Sequence, residues 1–292
     1  MTIAQIISQY SKLLKSSSPI LDIELLLSQT LNKPKEYLYT YPEKKLTVLQ
    51  LAKFKKLFPR RQSGEPMAYI LGHKEFFGLD FKVNKNVLIP RPETEQLVEE
   101  TLQFVKKHKI LSVVEIGAGS GAVIISLAKN ICHPELSRRV DKCSHLQFIA
   151  TDISTKALAV AKQNAKLHKV KIQFLQGNLL KPLSKITNSD FILRTSIIVA
   201  NLPYLETKQL NNKQLDYEPK SALNGGPDGL KYFREFFHQI AQYKLQPQAI
   251  FLEIGHNQAA KIKKLSPIAL PKYKITVKKD LCGFDRILII TK

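Results

Sequence analysis

Apolar residues in the first sixty positions recur every three or four residues, which is the spacing of one face of an α-helix. The pattern covers a segment before residue 32 and a second from Leu46 to Phe58. The stretch "NKPKEYLYTYPEKK" between them predicts a break. The first segment contains these apolar positions: Leu13, Leu14, Ile20, Ile23, Leu26, Leu27 and Leu31. Residues 1–62 contain neither glycine nor a strand pattern, so residues 1–72 are predicted to form a small helical domain.

The spacing changes after Gly72. Gly72 and Gly78 bracket a short aromatic segment, and the stretch "LDFKVNKNVLI" alternates between apolar and polar residues as a strand does. Pro90 and Pro92 end this region, because proline cannot continue a strand interior. Residues 73–92 are therefore predicted to form a hairpin connector between two domains.

From residue 110 onwards, strand patterns and helix patterns alternate. The predicted strands are "ILSVVEIG", "LQFIATDI", "VKIQFLQGN", "SIIVANLPY", "AIFLEIG", "YKITVKK" and "DRILIIT". The predicted helices are "AVIISLAKNI", "KALAVAKQNAKLH" and two segments near 229–243 and 257–265. Such alternation indicates an α/β domain over residues 93–292, with a mainly parallel sheet covered by helices on both faces.

The chain is strongly basic, with a formal net charge of +21 over 292 residues. Of its 45 basic residues, 37 are lysine and 8 are arginine, and the lysines are scattered along the chain. Recognition of bases and phosphates favours the arginine fork, so direct binding to nucleic acid is not predicted. The charge remains compatible with a partner that works near polyanions such as the ribosome.

Other features of composition favour a cytoplasmic protein. No apolar run is long enough to cross a bilayer, and the start "MTIAQIISQYSKLLK" lacks the pattern of a signal peptide. The cysteines at positions 132, 143 and 282 form neither a CxxC pair nor an even disulfide framework, which is typical of a reducing compartment. No membrane contact is predicted, and a monomer is expected.

A glycine-rich turn, "VVEIGAGSGAV", joins the first strand of the α/β domain to its helix. Gly117, Gly119 and Gly121 allow the backbone to approach a ligand closely, and the helix N-terminus is expected to offer free N–H groups. The spacing is GxGxG rather than the dinucleotide GxGxxG. Glu115 beside the turn disfavours a pyrophosphate but suits a cationic ligand end, such as that of S-adenosylmethionine. The alternative is a tight turn without a ligand.

Two polar residues follow the next strands. Asp152 ends the second strand, where a carboxylate can accept hydrogen bonds from both hydroxyls of a ribose. Its alternative role is the N-cap of the next helix, although Ser154 can take that role instead. Asn178 follows the third strand and can contact an adenine amino group, or it is simply a turn asparagine.

Residues 131–147 lengthen the connection between Gly121 and Asp152 and are interpreted as a surface insertion. Cys132, His133, Cys143 and His145 lie within it. Their spacing fits no zinc pattern, so no metal site is predicted.

The segment "IIVANLPY" places a side-chain amide, a proline and an aromatic ring at the end of a buried strand. Ligands of doubly wound sheets gather at the carboxyl ends of strands. Asn201 and the backbone carbonyl of Leu202 can hold the N–H groups of a planar nitrogen substrate, and Tyr204 can stack on its face. Pro203 lacks a backbone N–H and fixes the direction of that carbonyl. The alternative is a proline-terminated strand with a packed tyrosine.

These motifs, together with less common ones, resemble the PrmC/HemK family of release-factor glutamine methyltransferases along nearly the whole chain. The glycine turn and Asn-x-Pro-Tyr occur in many amino-methyltransferases. The more specific segments are "RRQSGEPMAYILG", "EFFGLDFKVNKNVLIPRPETEQLVE" and "YEPKSALNGGPDGL". The resemblance implies a Rossmann-like class I methyltransferase with a mostly parallel seven-stranded sheet, plus a small N-terminal helical domain that docks the substrate.

The resemblance also implies the reaction: S-adenosylmethionine methylates the side-chain amide of the Gln in a Gly-Gly-Gln motif of class-I peptide chain release factors. Family roles carry over to two groups of positions. The cofactor-binding positions are Gly117, Ala118, Gly119, Ser120, Gly121, Asp152, Asn178, Leu179 and Asn201. The substrate-binding positions are Asn201, Leu202, Pro203 and Tyr204, of which Asn201, Pro203 and Tyr204 are the catalytic positions.

Two positions depart from the family pattern. Leu202 stands where the family usually has proline, and Asn178 stands where it usually has aspartate. Asn-Leu-Pro-Tyr also occurs in enzymes that dimethylate adenines of ribosomal RNA, so methylation of an adenine amino group in RNA or DNA is the alternative. A cofactor-binding module without activity is a third possibility, but both the glycine turn and Asn201 are intact.

Overall fold

A computed structural model describes residues 1–132, 146–185, 196–212 and 215–292. The chain divides into two compact units, Met1–His73 and Lys74–Lys292. Among the predicted features of the insertion, Cys132 ends a helix, whereas His133, Cys143 and His145 lie outside the described residues. Within the described ranges, no helix is long and apolar enough to cross a membrane, and no cluster of His, Cys, Asp or Glu could hold a metal ion.

The first unit contains five helices among its residues: α1 (Ile3–Ser11), α2 (Pro19–Leu31), α3 (Lys35–Thr40), α4 (Val48–Gln62) and α5 (Met67–Leu71). Thr2 and Thr47 begin α1 and α4 with reciprocal capping boxes, which satisfy N–H groups that a helix start leaves open. The apolar faces meet in a core that includes Ile6, Leu26 and Phe54, all fully buried.

The predicted break after α2 is wrong in part, because α3 lies inside it. Pro34 occupies the N-cap position, where the missing N–H of proline costs nothing. Leu38 is 1% exposed, so burial of its side chain stabilises a helix that its polar neighbours do not indicate.

The second unit begins with a hairpin and a helix. Strands β1 (His73–Phe76) and β2 (Leu79–Lys82) pair in a two-stranded sheet, and α6 (Glu95–Lys107) follows a short 3₁₀ turn at Pro92–Thr94. Phe76 and Phe81 of the hairpin are buried in the core of the second unit. The hairpin strands are shorter than the alternating stretch in the sequence.

A seven-stranded sheet forms the centre of the second unit. Its strands are β3 (Ser112–Ile116), β4 (Gln147–Asp152), β5 (Gln173–Gln176), β6 (Ser196–Asn201), β7 (Ala249–Glu253), β8 (Lys274–Lys279) and β9 (Asp285–Thr291). The order across the sheet is β5-β4-β3-β6-β7-β9-β8. The pairs from β5 to β7 are parallel, whereas β9 is antiparallel to both of its neighbours. The predicted mostly parallel seven-stranded sheet is confirmed.

Helices cover both faces of this sheet. One apolar core joins it to α6, α7 (Ala122–Ile131) and α8 (Thr155–Leu167), and the other joins it to α9 (Lys231–Gln242) and α10 (Ala259–Ala269). Every residue of β3 is buried, and Val113 and Val114 belong to opposite cores. Burial on both faces explains why the strands appear in the sequence as continuous apolar runs.

Candidate active site

A cavity lies at the carboxyl edge of the sheet, where the strand order reverses between β3 and β6. Such a switch point is the usual ligand site of doubly wound sheets. Most of the residues singled out in the sequence line it: Gly117, Ala118, Gly119, Ser120, Asp152, Asn178, Leu179, Asn201, Leu202 and Pro203. Gly121 and Tyr204 do not contribute to the lining.

Several N–H groups of the glycine turn are used within the protein. The N–H groups of Gly117 and Ala118 both donate to the Thr151 carbonyl at 2.9 Å, and Gly121 donates to the Ala118 carbonyl. All three residues precede α7, so the open N–H groups expected at the start of that helix stay a prediction. Gly119 has φ +53°, and a Cβ added there would meet no atom within 4 Å, so the turn leaves open space beside its backbone.

Glu115 lies beneath this turn and is only 3% exposed. Its Oε2 accepts a hydrogen bond from the N–H of Ile124, in the first turn of α7, at 3.2 Å. Burial raises the pKa of Glu115 well above its usual value, and the charge of Asp152 raises it further. The carboxyl group of Glu115 thus engages one N–H group of a helix start that would otherwise favour a phosphate.

Asp152 ends β4 and uses both carboxylate oxygens. Oδ2 accepts from the Gly119 N–H at 2.9 Å, and Oδ1 accepts from the Ser154 N–H at 2.8 Å. Burial raises its pKa, against the opposing effect of these backbone hydrogen bonds. Ser154 is the N-cap of α8, since its side chain accepts from Ala157 N. Each Asp152 oxygen retains acceptor capacity, which suits a pair of adjacent hydroxyls.

Asn178 and Leu179 line the cavity next to Asp152. Gly177 donates its N–H to the Asp152 carbonyl at 3.0 Å, and the Thr151 hydroxyl donates to the Leu179 carbonyl at 2.8 Å. Leu179 adopts φ +48°, so these bonds hold an uncommon left-handed backbone in place.

Asn201, the last residue of β6, belongs to a buried network around Glu253. Its Nδ2 donates to Glu253 Oε2 at 2.9 Å and to Thr94 Oγ1 at 3.1 Å. The Thr94 hydroxyl donates to the same Oε2 at 2.6 Å, and the Tyr204 hydroxyl donates to Glu253 Oε1 at 3.3 Å. Glu253 is 2% exposed, and burial raises its pKa although Thr94, Tyr204 and the charge of Arg286 oppose the rise.

The residues after Asn201 are held in place by packing in the core and by hydrogen bonds from Gln258. Leu202 is 1% exposed and packs in the core below α9, so the side chain that replaces the family's usual proline is accommodated. The Gln258 side chain donates to the carbonyls of Tyr204 at 2.9 Å and Gly229 at 3.2 Å, and it accepts from the Gly255 N–H. Burial and the nearby Glu253 raise the pKa of the Tyr204 hydroxyl, which stays protonated.

Glu218 connects two segments of the cavity wall. Its Oε2 accepts from the Ile89 N–H at 3.1 Å, and its Oε1 pairs with the Arg91 guanidinium. Wall residues come from 86–91 on one side of this link and from 219–222 on the other. Glu218 is buried, whereas its partner Arg91 is partly exposed.

Five residues whose side-chain hydrogen bonds hold segments around the cavity were not predicted from the sequence. They are Thr94, Asn164, Glu218, Glu253 and Gln258. One signal could have found Glu253, since Glu253-Ile254-Gly255 repeats the Glu-Ile-Gly that ends β3. Asn164 has no such signal, although its fully buried side chain donates to the carbonyls of Ser120 and Lys82 and accepts from the Lys82 N–H.

The lining fits S-adenosylmethionine better than a dinucleotide. Asp152 offers carboxylate oxygens to adjacent hydroxyls, and the buried Glu115 belongs to the lining, where a nearby cationic group would favour its charged form. Arg91 also belongs to the lining, but its guanidinium is paired with Glu218. The cavity therefore favours a cation with a ribose over a pyrophosphate.

Comparison with known proteins supports this assignment. The chain matches the PrmC N-terminal domain over residues 5–72 and a methyltransferase domain over residues 107–265. The release factor glutamine methyltransferase of Coxiella burnetii (strain RSA 493 / Nine Mile phase I) is 38% identical, covering 94% of this chain and 92% of that protein. The release factor glutamine methyltransferase of Koribacter versatilis (strain Ellin345) is 34% identical, covering 93% and 91%.

The fold also matches a solved structure, the hMettl16 catalytic domain in complex with the MAT2A 3'UTR hairpin 6. The TM-score is 0.54 at 14% identity, covering 79% of this chain and 81% of that one. At this identity the match shows the methyltransferase fold alone. The 38% identity to the Coxiella burnetii protein extends over nearly the full length of both chains, and it shows that this chain belongs to the family of release factor glutamine methyltransferases.

Proposed function

We propose that the chain transfers a methyl group from S-adenosylmethionine to the side-chain amide nitrogen of the Gln in the Gly-Gly-Gln motif of class-I peptide chain release factors. The observation that carries this proposal is a single cavity that contains both the glycine turn with Asp152 and the Asn201-Leu202-Pro203 segment. Family membership over nearly the full length supports the same reaction.

The cofactor side of the cavity is assigned to the glycine turn and the ends of β4 and β5. We assign the ribose hydroxyls to Asp152, the adenine to Asn178 and Leu179, and the methionine end to residues 117–121. S-adenosylmethionine supplies an electrophilic methyl group on a sulfonium. Burial disfavours the charged form of Glu115 below the turn, so a cationic ligand would be favoured because it stabilises that form.

The substrate side is assigned to the end of β6. The Asn201 side-chain oxygen and the Leu202 carbonyl accept the two N–H bonds of the glutamine amide, and Pro203 fixes the direction of that carbonyl. Tyr204 supports the segment from behind through Glu253. An amide nitrogen is a poor nucleophile, so the main contribution of these residues is to hold it in line with the methyl group. The amide proton leaves after transfer, and no strong general base is required.

Residues 1–72 are proposed to dock the release factor. Their match to the PrmC N-terminal domain supports this role. The cytoplasm is the proposed compartment because release factors act on ribosomes there, and a monomer is the proposed state.

Labelled S-adenosylmethionine tests the function directly. The purified chain should label a class-I release factor, and a Gln→Ala change in the Gly-Gly-Gln motif of that factor should abolish the label. Labelling of ribosomal RNA without labelling of the release factor would instead support the adenine alternative. That alternative rests on Leu202 in the Asn-Leu-Pro-Tyr motif.

Asn201→Ala should lower the rate of transfer by about a hundredfold or more, since it removes a group that positions the reacting nitrogen. Equilibrium binding of S-adenosylhomocysteine should persist, because Asp152 and the glycine turn are unchanged. Full activity of the variant would show that the role assigned to Asn201 is wrong.

A further inference from the structure

Glu253 was not among the site residues predicted from the sequence, yet it lies next to Asn201, the residue proposed to hold the substrate. Parallel pairing places Asn201 of β6 opposite Glu253 of β7, at the carboxyl ends of both strands. The carboxylate receives three hydrogen bonds, from Asn201, Thr94 and Tyr204. Thr94 and Asn201 line the cavity, and Glu253 lies behind them at 2% exposure.

This network determines which way the Asn201 amide faces. A carboxylate only accepts hydrogen bonds, and the Thr94 hydroxyl gives its proton to Glu253 Oε2 at 2.6 Å. The Thr94 oxygen is then an acceptor for Asn201, so both acceptors near Asn201 require its NH₂ group. The reversed amide would place its oxygen against two other oxygens, and a buried clash of acceptors is costly.

The orientation of the Asn201 amide decides whether a donor or an acceptor faces the substrate. With both N–H bonds of Asn201 used inside the protein, its oxygen is the atom left to meet a ligand. An oxygen acceptor pairs with the N–H of a carboxamide. It has no favourable contact with a carboxylate, which carries only acceptors.

We propose that Glu253 is a positioning residue that orients the Asn201 amide, through a direct hydrogen bond and through Thr94, so that the site takes a glutamine carboxamide and rejects a glutamate carboxylate. The proposal rests on the proposed function and deepens it, because it assigns the Gln-over-Glu preference to a residue that the substrate does not touch.

The test compares the binding of two release factors, one with Gly-Gly-Gln and one with Gly-Gly-Glu, to wild type and to Glu253→Gln in the presence of S-adenosylhomocysteine. Glutamine at position 253 presents an NH₂ group, which allows Asn201 to turn its oxygen inward and its NH₂ outward. We expect the wild type to prefer the Gln factor and Glu253→Gln to reduce that preference by about tenfold or more. Binding of S-adenosylhomocysteine should not change.

Glu235→Gln is the control. It makes the same chemical change in a half-buried carboxylate of α9, which accepts a hydrogen bond from Gln239 at 2.7 Å and does not line the cavity. Loss of one negative charge from the second unit would alone weaken the Gln preference in both variants. Loss in Glu253→Gln but not in Glu235→Gln is the result expected from orientation.

Thr94→Val provides a second variant if Glu253→Gln does not fold. Valine keeps the shape of threonine but removes one of the two acceptors of Asn201, so the preference for the Gln factor should fall by about three- to tenfold. An unchanged preference in the folded variants would overturn the proposal. A wild type that transfers no methyl group to any release factor would instead overturn the proposed function.

Discussion

At the scale of one residue, Glu115 shows that a buried carboxyl group in the cavity lining has a cost in stability. Its carboxyl group is buried beneath the glycine turn, and the one hydrogen bond identified for it comes from the Ile124 N–H. The raised pKa means that the folded state disfavours the charged form, which predominates at neutral pH in the unfolded chain.

This shift predicts how stability depends on pH. A raised pKa in the folded state contributes stability below the unfolded value of about 4.5, and that contribution is lost as pH rises through the folded pKa. Glu115→Gln keeps an acceptor for Ile124 but cannot ionise. We therefore expect its stability relative to wild type to be greater at pH 8 than at pH 5, as measured by urea unfolding without cofactor. An equal difference at both values would contradict the prediction.

The roles of some individual residues could be predicted from the sequence, and those of others could not. Asp152 and Ser154 were both possible N-caps of α8, and the structure gives that role to Ser154. The cavity contains most of the residues chosen from the motifs. Glu253 and Thr94 were missed because a hydrogen bond between residues 159 positions apart depends on tertiary packing, which no local pattern encodes.

At the scale of elements, the strands and long helices follow the apolar patterns closely, and the deviations have local causes. Helix α4 continues past Pro59 to Gln62, where Arg60 and Arg61 occupy the last turn. The short α3 depends on burial of Leu38, not on a long repeat. Hydrophobic periodicity predicts elements that are long enough to contain a repeat of apolar residues. It misses short elements that are stabilised by packing against other parts of the fold.

The loop between the 3₁₀ turn at Lys220–Ala222 and α9 offers a test at this scale. Gly229 has φ +72°, and an added Cβ would lie 2.3 Å from the Tyr204 carbonyl oxygen. Gly229→Ala should therefore destabilise the chain by about 3 kcal/mol or more and reduce methyl transfer, because the backbone of Tyr204 must move.

Gly283→Ala is the control for that prediction. Gly283 has a similar φ of +83°, but an added Cβ would meet nothing within 4 Å. Its cost should be limited to about 1–2 kcal/mol for the left-handed backbone. Equal losses of stability in the two variants, measured by urea unfolding, would show that contact with Tyr204 does not matter.

At the scale of the whole molecule, the two compact units have separate apolar cores. All residues that line the cavity fall between Phe76 and Tyr232, within the second unit. The cavity is thus lined without residues 1–73. The sequence predicted a helical domain followed by an α/β domain, because residues 1–62 show the helix spacing alone whereas strand and helix patterns alternate from residue 110.

This separation predicts that residues 74–292 bind S-adenosylmethionine as the full chain does. Because residues 1–72 are proposed to dock the release factor, the fragment should methylate the intact factor far more slowly. Calorimetric titration with S-adenosylhomocysteine and transfer assays would measure the two properties. A fragment with full activity on the intact factor would contradict the docking role.

The position of β9 in the sheet has a consequence for folding kinetics. This strand comes last among the seven in chain order, yet it lies between β7 and β8. Strand β7 also pairs with β6, but β8 is joined to the sheet through β9, so β8 cannot reach its final place until β9 has paired with β7. Glu253 lies at the end of β7, opposite Ile287 of β9. Completion of the sheet beside Glu253 therefore requires the last strand of the chain and is a late, non-local event, so refolding should recover methyl transfer only after most of the helical signal has returned.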